Sequence, residues 1–152
     1  MPRFYEDFEV GQTYDLKPRL VTAEEIIAFA REYDPQPFHL SEAVAKRSLL
    51  GGLAASGWHG AALFMRMSYD SWMKDAGTVL GGPGVDSMRW IKPIRAGDTI
   101  TGTTEILEMR ESKSKPEVGI IRMKSQIRSQ TSGELLMELI YPVLIRRRGV
   151  AA

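Results

Sequence analysis

The sequence contains no cysteine, which excludes disulfides, thiolate metal sites and a cysteine nucleophile. It has only two histidines, His39 and His59, too few for a histidine-rich metal centre. Charge of one sign is also lacking: a formal net charge of +1 gives no field directed at nucleic acid or a membrane surface. No apolar run approaches the ~20 residues needed to span a bilayer, and no basic-then-apolar leader opens the chain. The expected location is therefore cytoplasmic. Repeats and low-complexity linkers are missing too. With 152 residues, 43% hydrophobic and 26% charged, the chain reads as one globular domain, 1–152, able to bury a core.

The residues present divide into a helix-rich first half and a strand-rich second half, an α+β pattern. Gln12 to Leu20 suits a first strand. Thr22, with Glu25 three residues on, is a capping-box signature. Ile26, Ile27, Phe29, Ala30 and Tyr33 then recur at helical spacing. Pro35 and Pro37 end that helix at about Tyr33. A second short helix starts at Ser41 and stops before Gly51-Gly52. A third begins near Ser56-Gly57 and runs to about Asp75. Trp58, Ala61, Ala62, Leu63, Phe64, Met65 and Met67 cover nearly all its sides, so it is expected to be buried most of the way round. His59, Arg66 and Asp70 form its narrow polar stripe, with Lys74 near; Arg66, Asp70 and Lys74 are read as ion pairing on a solvated face.

From Val85 onward the period is two. Ile121, Met123, Ser125 and Ile127 alternate with charged or amide residues. Leu135 to Ile145 alternates likewise after a turn at Ser132-Gly133, and Thr99 to Met109 follows a turn at Ala96-Gly97-Asp98. Pro142 calls for a bulge or an edge position in the last strand. One long apolar helix and several long antiparallel strands imply a sheet curled around the helix, the hot-dog arrangement.

Two stretches carry possible chemistry. In Asp34-Pro35-Gln36-Pro37-Phe38-His39, a carboxylate and an imidazole are held five residues apart on a proline-stiffened loop. There they can share a water, one group taking a proton and the other orienting the oxygen. Taken alone, the spacing better fits a turn carboxylate and a hydrogen-bonded loop histidine. In Ala55-Ser56-Gly57-Trp58-His59-Gly60, free N–H groups at a helix start can hold developing negative charge. The same glycines can instead serve close helix-to-sheet packing. Arg146-Arg147-Arg148 reads as a solvated strand end, or as weak candidates for phosphate contacts.

Together the two stretches resemble the MaoC-like dehydratases, which include R-specific enoyl-CoA hydratases. Those carry Asp-x-Asn-Pro-x-His, then a His-Gly at the start of the central helix. Here the motifs are Asp34 to His39 and His59-Gly60, and Arg95-Ala96-Gly97-Asp98-Thr99 resembles a later family turn. The likeness extends from about Val21 to Ile145. It implies a hot-dog fold and reversible addition of water to a trans-2-enoyl thioester, giving a 3R-hydroxyacyl product. Asp34 and His39 would act on the water, and the Gly60 N–H on the thioester oxygen. Gln36, Gly57, Trp58 and His59 would contact substrate. No metal or redox cofactor is implied, coenzyme A being part of the acyl-CoA substrate. The family pairs domains, so a homodimer or dimer of dimers is expected.

The chain departs from the family at Gln36, where asparagine is usual. Glu32-Tyr33 replaces small residues, and Ser41 a common aspartate. The bulk of Trp58 points to a smaller acyl pocket. The competing readings are a hot-dog thioesterase, which places its carboxylate on or near the central helix, and a non-catalytic acyl-CoA-binding subunit.

Overall fold

The computed structural model describes residues 1–150. Strand β1 (Thr13–Leu20) leads into α1 (Ala23–Tyr33). Thr22 Oγ1 caps α1 by accepting the Glu25 N–H at 3.2 Å. The reciprocal half of the expected capping box is not made, because the Glu25 carboxylate turns toward Arg19 and His59, each 3.7 Å away. Ile26 and Ala30 form the buried face of α1. Two short helices follow, α2 (Pro37–Leu40) and α3 (Glu42–Lys46), the latter capped by Ser41 as its side-chain chemistry predicts.

Helix α4 (Gly57–Ser68) continues through a π turn at Tyr69–Met73 into α5 (Lys74–Ala76). Gly77 ends it at φ 66°, a left-handed conformation suited to glycine. The wider turn has a local cause: Ser71 Oγ donates to Met67 O at 2.7 Å and accepts the Lys17 N–H at 2.9 Å. Leu63, Phe64, Met67 and Trp72 enter the core. Burial is less complete than the composition of α4 predicts. Trp58, Ala62, Met65 and Tyr69, spaced 4, 3 and 4 residues apart, form an exposed apolar stripe. His59, expected on the polar stripe, is buried, whereas Arg66 and Asp70 pair at 2.7 Å in the exposed position expected of them.

The sheet contains β2 (Val79–Gly81), β3 (Ser87–Trp90), β4 (Thr99–Glu111), β5 (Val118–Ser129) and β6 (Leu135–Arg146) besides β1. Its order is β1-β4-β5-β6-β2, with β3 also on the outer side of β6, and every pairing is antiparallel. The three long strands curl around α4, and their dry faces (Ile106, Ile121, Met123, Met137, Leu139) share one core with it. This is the α+β hot-dog arrangement. Pro142 lies between the β6 residues paired to β3 and those paired to β2. No bulge interrupts its pairing with Arg122 of β5, so the open outer side accommodates it.

Candidate active site

Asp34 caps the C-terminus of α1, its N–H still reaching Ala30 O at 3.0 Å. Pro35 cannot continue the helix, and the backbone turns with Gln36 N–H on Asp34 O at 2.8 Å. Pro37 then sits at the first position of α2, where its missing N–H costs nothing. His39 therefore rides on a one-turn helix rather than on the expected loop. This brings the two side chains together, with His39 Nε2 3.5 Å from Asp34 Oδ2.

His39 is buried, and its Nδ1 lies 2.8 Å from Ala54 O. A carbonyl oxygen only accepts, so Nδ1 carries a proton and Nε2 is the ring nitrogen that faces Asp34. Ala54 is itself fixed by an isolated antiparallel bridge to Arg95. The Asp34 carboxyl is held below the usual carboxylate range, first by the nearby Ser56 hydroxyl, then by the Gln36 amide, with His39 adding a smaller effect. Ser56 Oγ is buried with no partner at hydrogen-bonding geometry, so its dipole acts on Asp34 without a formed bond. Gln36 Nε2 donates to Asp34 Oδ1 at 2.7 Å. The longer amide thus reaches the carboxylate itself. Asp34 is therefore ionised at neutral pH, with His39 Nε2 beside it.

The pair faces a cavity of about 400 Å³ whose walls include Ser56, Gly57, Trp58, Trp90, Ile94 and Met137. Ser56 stands at the N-cap of α4 without capping it. The N–H groups of Gly57, Trp58 and His59 consequently have no acceptor among the described residues, and the positive end of α4 meets the cavity at Gly57 and Trp58.

Two expected residues lie elsewhere. The Gly60 N–H donates to Ser56 O at 3.0 Å, the first hydrogen bond of α4, so it is unavailable to a ligand. A Cβ on Gly60 would come within 3.1 Å of Ile94 Cδ1, which makes this glycine a packing residue. His59 does not line the cavity. It stacks on Phe29 at 4.7 Å with the planes 8° apart and faces Glu25, joining α4 to α1.

Three contributors escaped the sequence reading: Ala54, Ser56 as a neighbour of Asp34, and Trp90. Trp90 Nε1 donates to Gly57 O at 3.0 Å, and its ring covers Gly57 so closely that a Cβ there would lie 2.5 Å from it. Trp58 meets Trp90 edge-on at 5.2 Å. Only the pairing of β3 with β6 brings Trp90 here, so local spacing could not mark it. An N-cap serine close to a proposed carboxylate was the one available signal for Ser56.

The sequence pattern of the MaoC like domain matches residues 7–126, most of the chain. The chain belongs to the MaoC-like domain family. A MaoC-like dehydratase from Rhodospirillum rubrum superposes with a TM-score of 0.88 at 41% identity, over 97% of this chain and 99% of that one. A 3-hydroxybutyryl-CoA dehydratase from Methylorubrum extorquens is 32% identical over 70% of this chain and 65% of its own length. An (R)-hydratase from A. caviae involved in PHA biosynthesis gives a TM-score of 0.67 at 25% identity, over 91% and 97% of the two chains.

In this MaoC-like domain two residues of the basic C-terminal run, Arg147 and Arg148, are already engaged. Arg147 pairs with Glu111 at 2.7 Å and Glu6 at 3.5 Å, and Arg148 with Asp7 at 2.6 Å. Neither lines the cavity. Among the described residues no cluster of three or more His, Asp or Glu side chains could hold a metal ion, and no helix is long and apolar enough to cross a membrane.

Proposed function

We propose that this MaoC-like domain hydrates trans-2-enoyl thioesters, or runs the reverse dehydration, at the Asp34–His39 pair. The observation that carries the reading is a carboxylate 3.5 Å from Nε2 of an imidazole whose ring is oriented by Ala54 O, both lining one cavity. The thioester oxygen accepts from the free N–H groups of Gly57 and Trp58, which replace Gly60 in this role. That polarisation makes the β-carbon electrophilic. A water held between Asp34 and His39 loses a proton to His39 Nε2 as its oxygen bonds to the β-carbon. Negative charge moves to the thioester oxygen. The proton on Nε2, stabilised by Asp34, then passes to the α-carbon, giving the 3-hydroxyacyl thioester. The 3R configuration follows from the family resemblance.

These steps use side chains, backbone and water alone, with coenzyme A entering as the carrier of the substrate. The named dehydratase and hydratase relatives support the reaction class. The test is loss of enoyl-thioester absorbance on a panel of trans-2-enoyl-CoAs. Asp34→Asn and His39→Ala should each lower kcat on the order of 10²–10⁴-fold, the usual contribution of a positioned acid or base. Release of free thiol instead would replace this reading with a thioesterase. Full activity in both folded variants would remove the pair from the chemistry.

A further inference from the structure

The wall formed by Lys92, Pro93 and Leu136 belongs to two cavities at once. Leu136 O anchors it by accepting the N–H groups of Ile91 at 2.8 Å and Lys92 at 3.2 Å. One side holds Asp34 and His39. The other opens into a trough of about 540 Å³ that includes Arg95, Asp98, Thr131, Ser132 and Glu134. Indole and aliphatic groups dominate the first, cations, hydroxyls and carboxylates the second. Such a change along one continuous surface suits a ligand with an apolar reacting end and a charged, hydrogen-bonding tail.

The polar groups of the trough are unequally engaged. Asp98 accepts from the Thr131 hydroxyl at 3.4 Å. Glu134 is occupied by Lys92 and by the Ser132 hydroxyl at 3.4 Å. Arg95 differs: its guanidinium makes one hydrogen bond, to Gly52 O at 3.3 Å, and has no carboxylate partner among the described residues. Its main chain is held in place by the bridge to Ala54, and the remaining N–H donors of its guanidinium are available at the edge of the trough. Lys92 is bound to Glu134 in an exposed ion pair, the kind an incoming phosphate can displace.

We propose that this trough binds the phosphate of the thioester carrier, with Arg95 as the main phosphate ligand and Lys92 as a second cation exchanged from Glu134. The inference rests on the hydratase reading and adds to it a phosphate subsite. The phosphate can belong to the pantetheine arm, common to coenzyme A and acyl carrier protein, or to the adenosine end of coenzyme A alone.

The test compares kcat/KM for one enoyl group carried on coenzyme A, on 4′-phosphopantetheine and on unphosphorylated pantetheine. Arg95→Ala should lower the preference for the coenzyme A thioester over the pantetheine thioester about tenfold, through KM, as expected for lost charge-assisted hydrogen bonds. Arg95→Lys should fall between, and exposed Lys92→Ala should act in the same direction. Glu134→Gln should raise the preference by releasing Lys92, a sign that loosening of the fold would not produce. An unchanged ratio in Arg95→Ala and Lys92→Ala, or a lowered one in Glu134→Gln, would overturn the proposal. If the phosphopantetheine thioester shares the loss, the ligand is the pantetheine phosphate. If only the coenzyme A thioester does, it is the adenosine end. Absence of turnover on all three would count against the hydratase reading alone. The trough would then be read by quenching of Trp58 and Trp90 emission with free coenzyme A in the same variants, where equal quenching curves overturn it.

Discussion

His59 is a buried imidazole whose Nδ1 has no partner and whose Nε2 lies 3.7 Å from Glu25. Burial pushes its pKa down from 6.5; Glu25 offsets part of this and Arg19 adds to it. The folded state therefore takes up a proton less readily than the unfolded chain. Its stabilising contribution is complete above pH 6.5 and is lost as the pH falls through the lower folded value. The melting temperature of the protein should drop on acidification below pH 6.5, and His59→Gln should flatten that slope; thermal melts across the range would check it. At the same scale, Trp58 stands 60% exposed at the cavity wall. Trp58→Ala should shift the preferred acyl chain toward longer substrates, measured as kcat/KM against chain length. A wild-type preference for long chains would refute the restrictive role. Asp34 and His39 were legible because their motif, followed by His59-Gly60, resembles a family pattern; their spacing alone did not single them out. The place of His59 was not, since helical spacing says which residues share a stripe but not which stripe meets α1.

At the scale of elements, the first turn of α4 carries two glycines with different duties. A methyl group at Gly57 would enter the Trp90 indole, whereas one at Gly60 would only press on the flexible end of Ile94. Gly57→Ala should therefore cost at least tenfold in kcat/KM and shift Trp90 emission. Gly60→Ala should cost only a modest amount of stability, about 1 kcal/mol or less, with near-normal turnover. Equal effects on rate would contradict this division. Element boundaries were largely readable. Caps at Thr22 and Ser41, prolines after Tyr33 and the glycine after β5, Gly133, all act locally. The short strands β2 and β3 were not separated in the sequence, because three- and four-residue strands carry too few alternations to stand out.

For the whole molecule, the exposed stripe Trp58, Ala62, Met65 and Tyr69 runs beside Trp90 and Ile91, which are 48% and 44% exposed. Strand β3 pairs only with β6, leaving its other edge open among the described residues. An apolar stripe beside an unpaired edge is what a second copy would cover. Light scattering at micromolar concentration should give at least twice the chain mass, and Met65→Glu should shift the population toward monomer. A monomeric wild type would count against a homodimer. The curled sheet was legible from the sum of helix and strand patterns. The exposed stripe was not, because apolar composition alone cannot distinguish a face turned to its own core from one turned to a partner.

The hydrogen bond from His39 to Ala54 has a consequence for how such a site can change over generations. The group that orients His39 is a main-chain carbonyl, positioned by a backbone bridge. Any residue at position 54 would supply the same oxygen. No single codon change can delete that acceptor, and a change of letter at this position would leave the carbonyl in the chain. Mutation can reach it only by displacing the strand-like segment that carries it, so the most dependable member of the site is also the one that inheritance never spells.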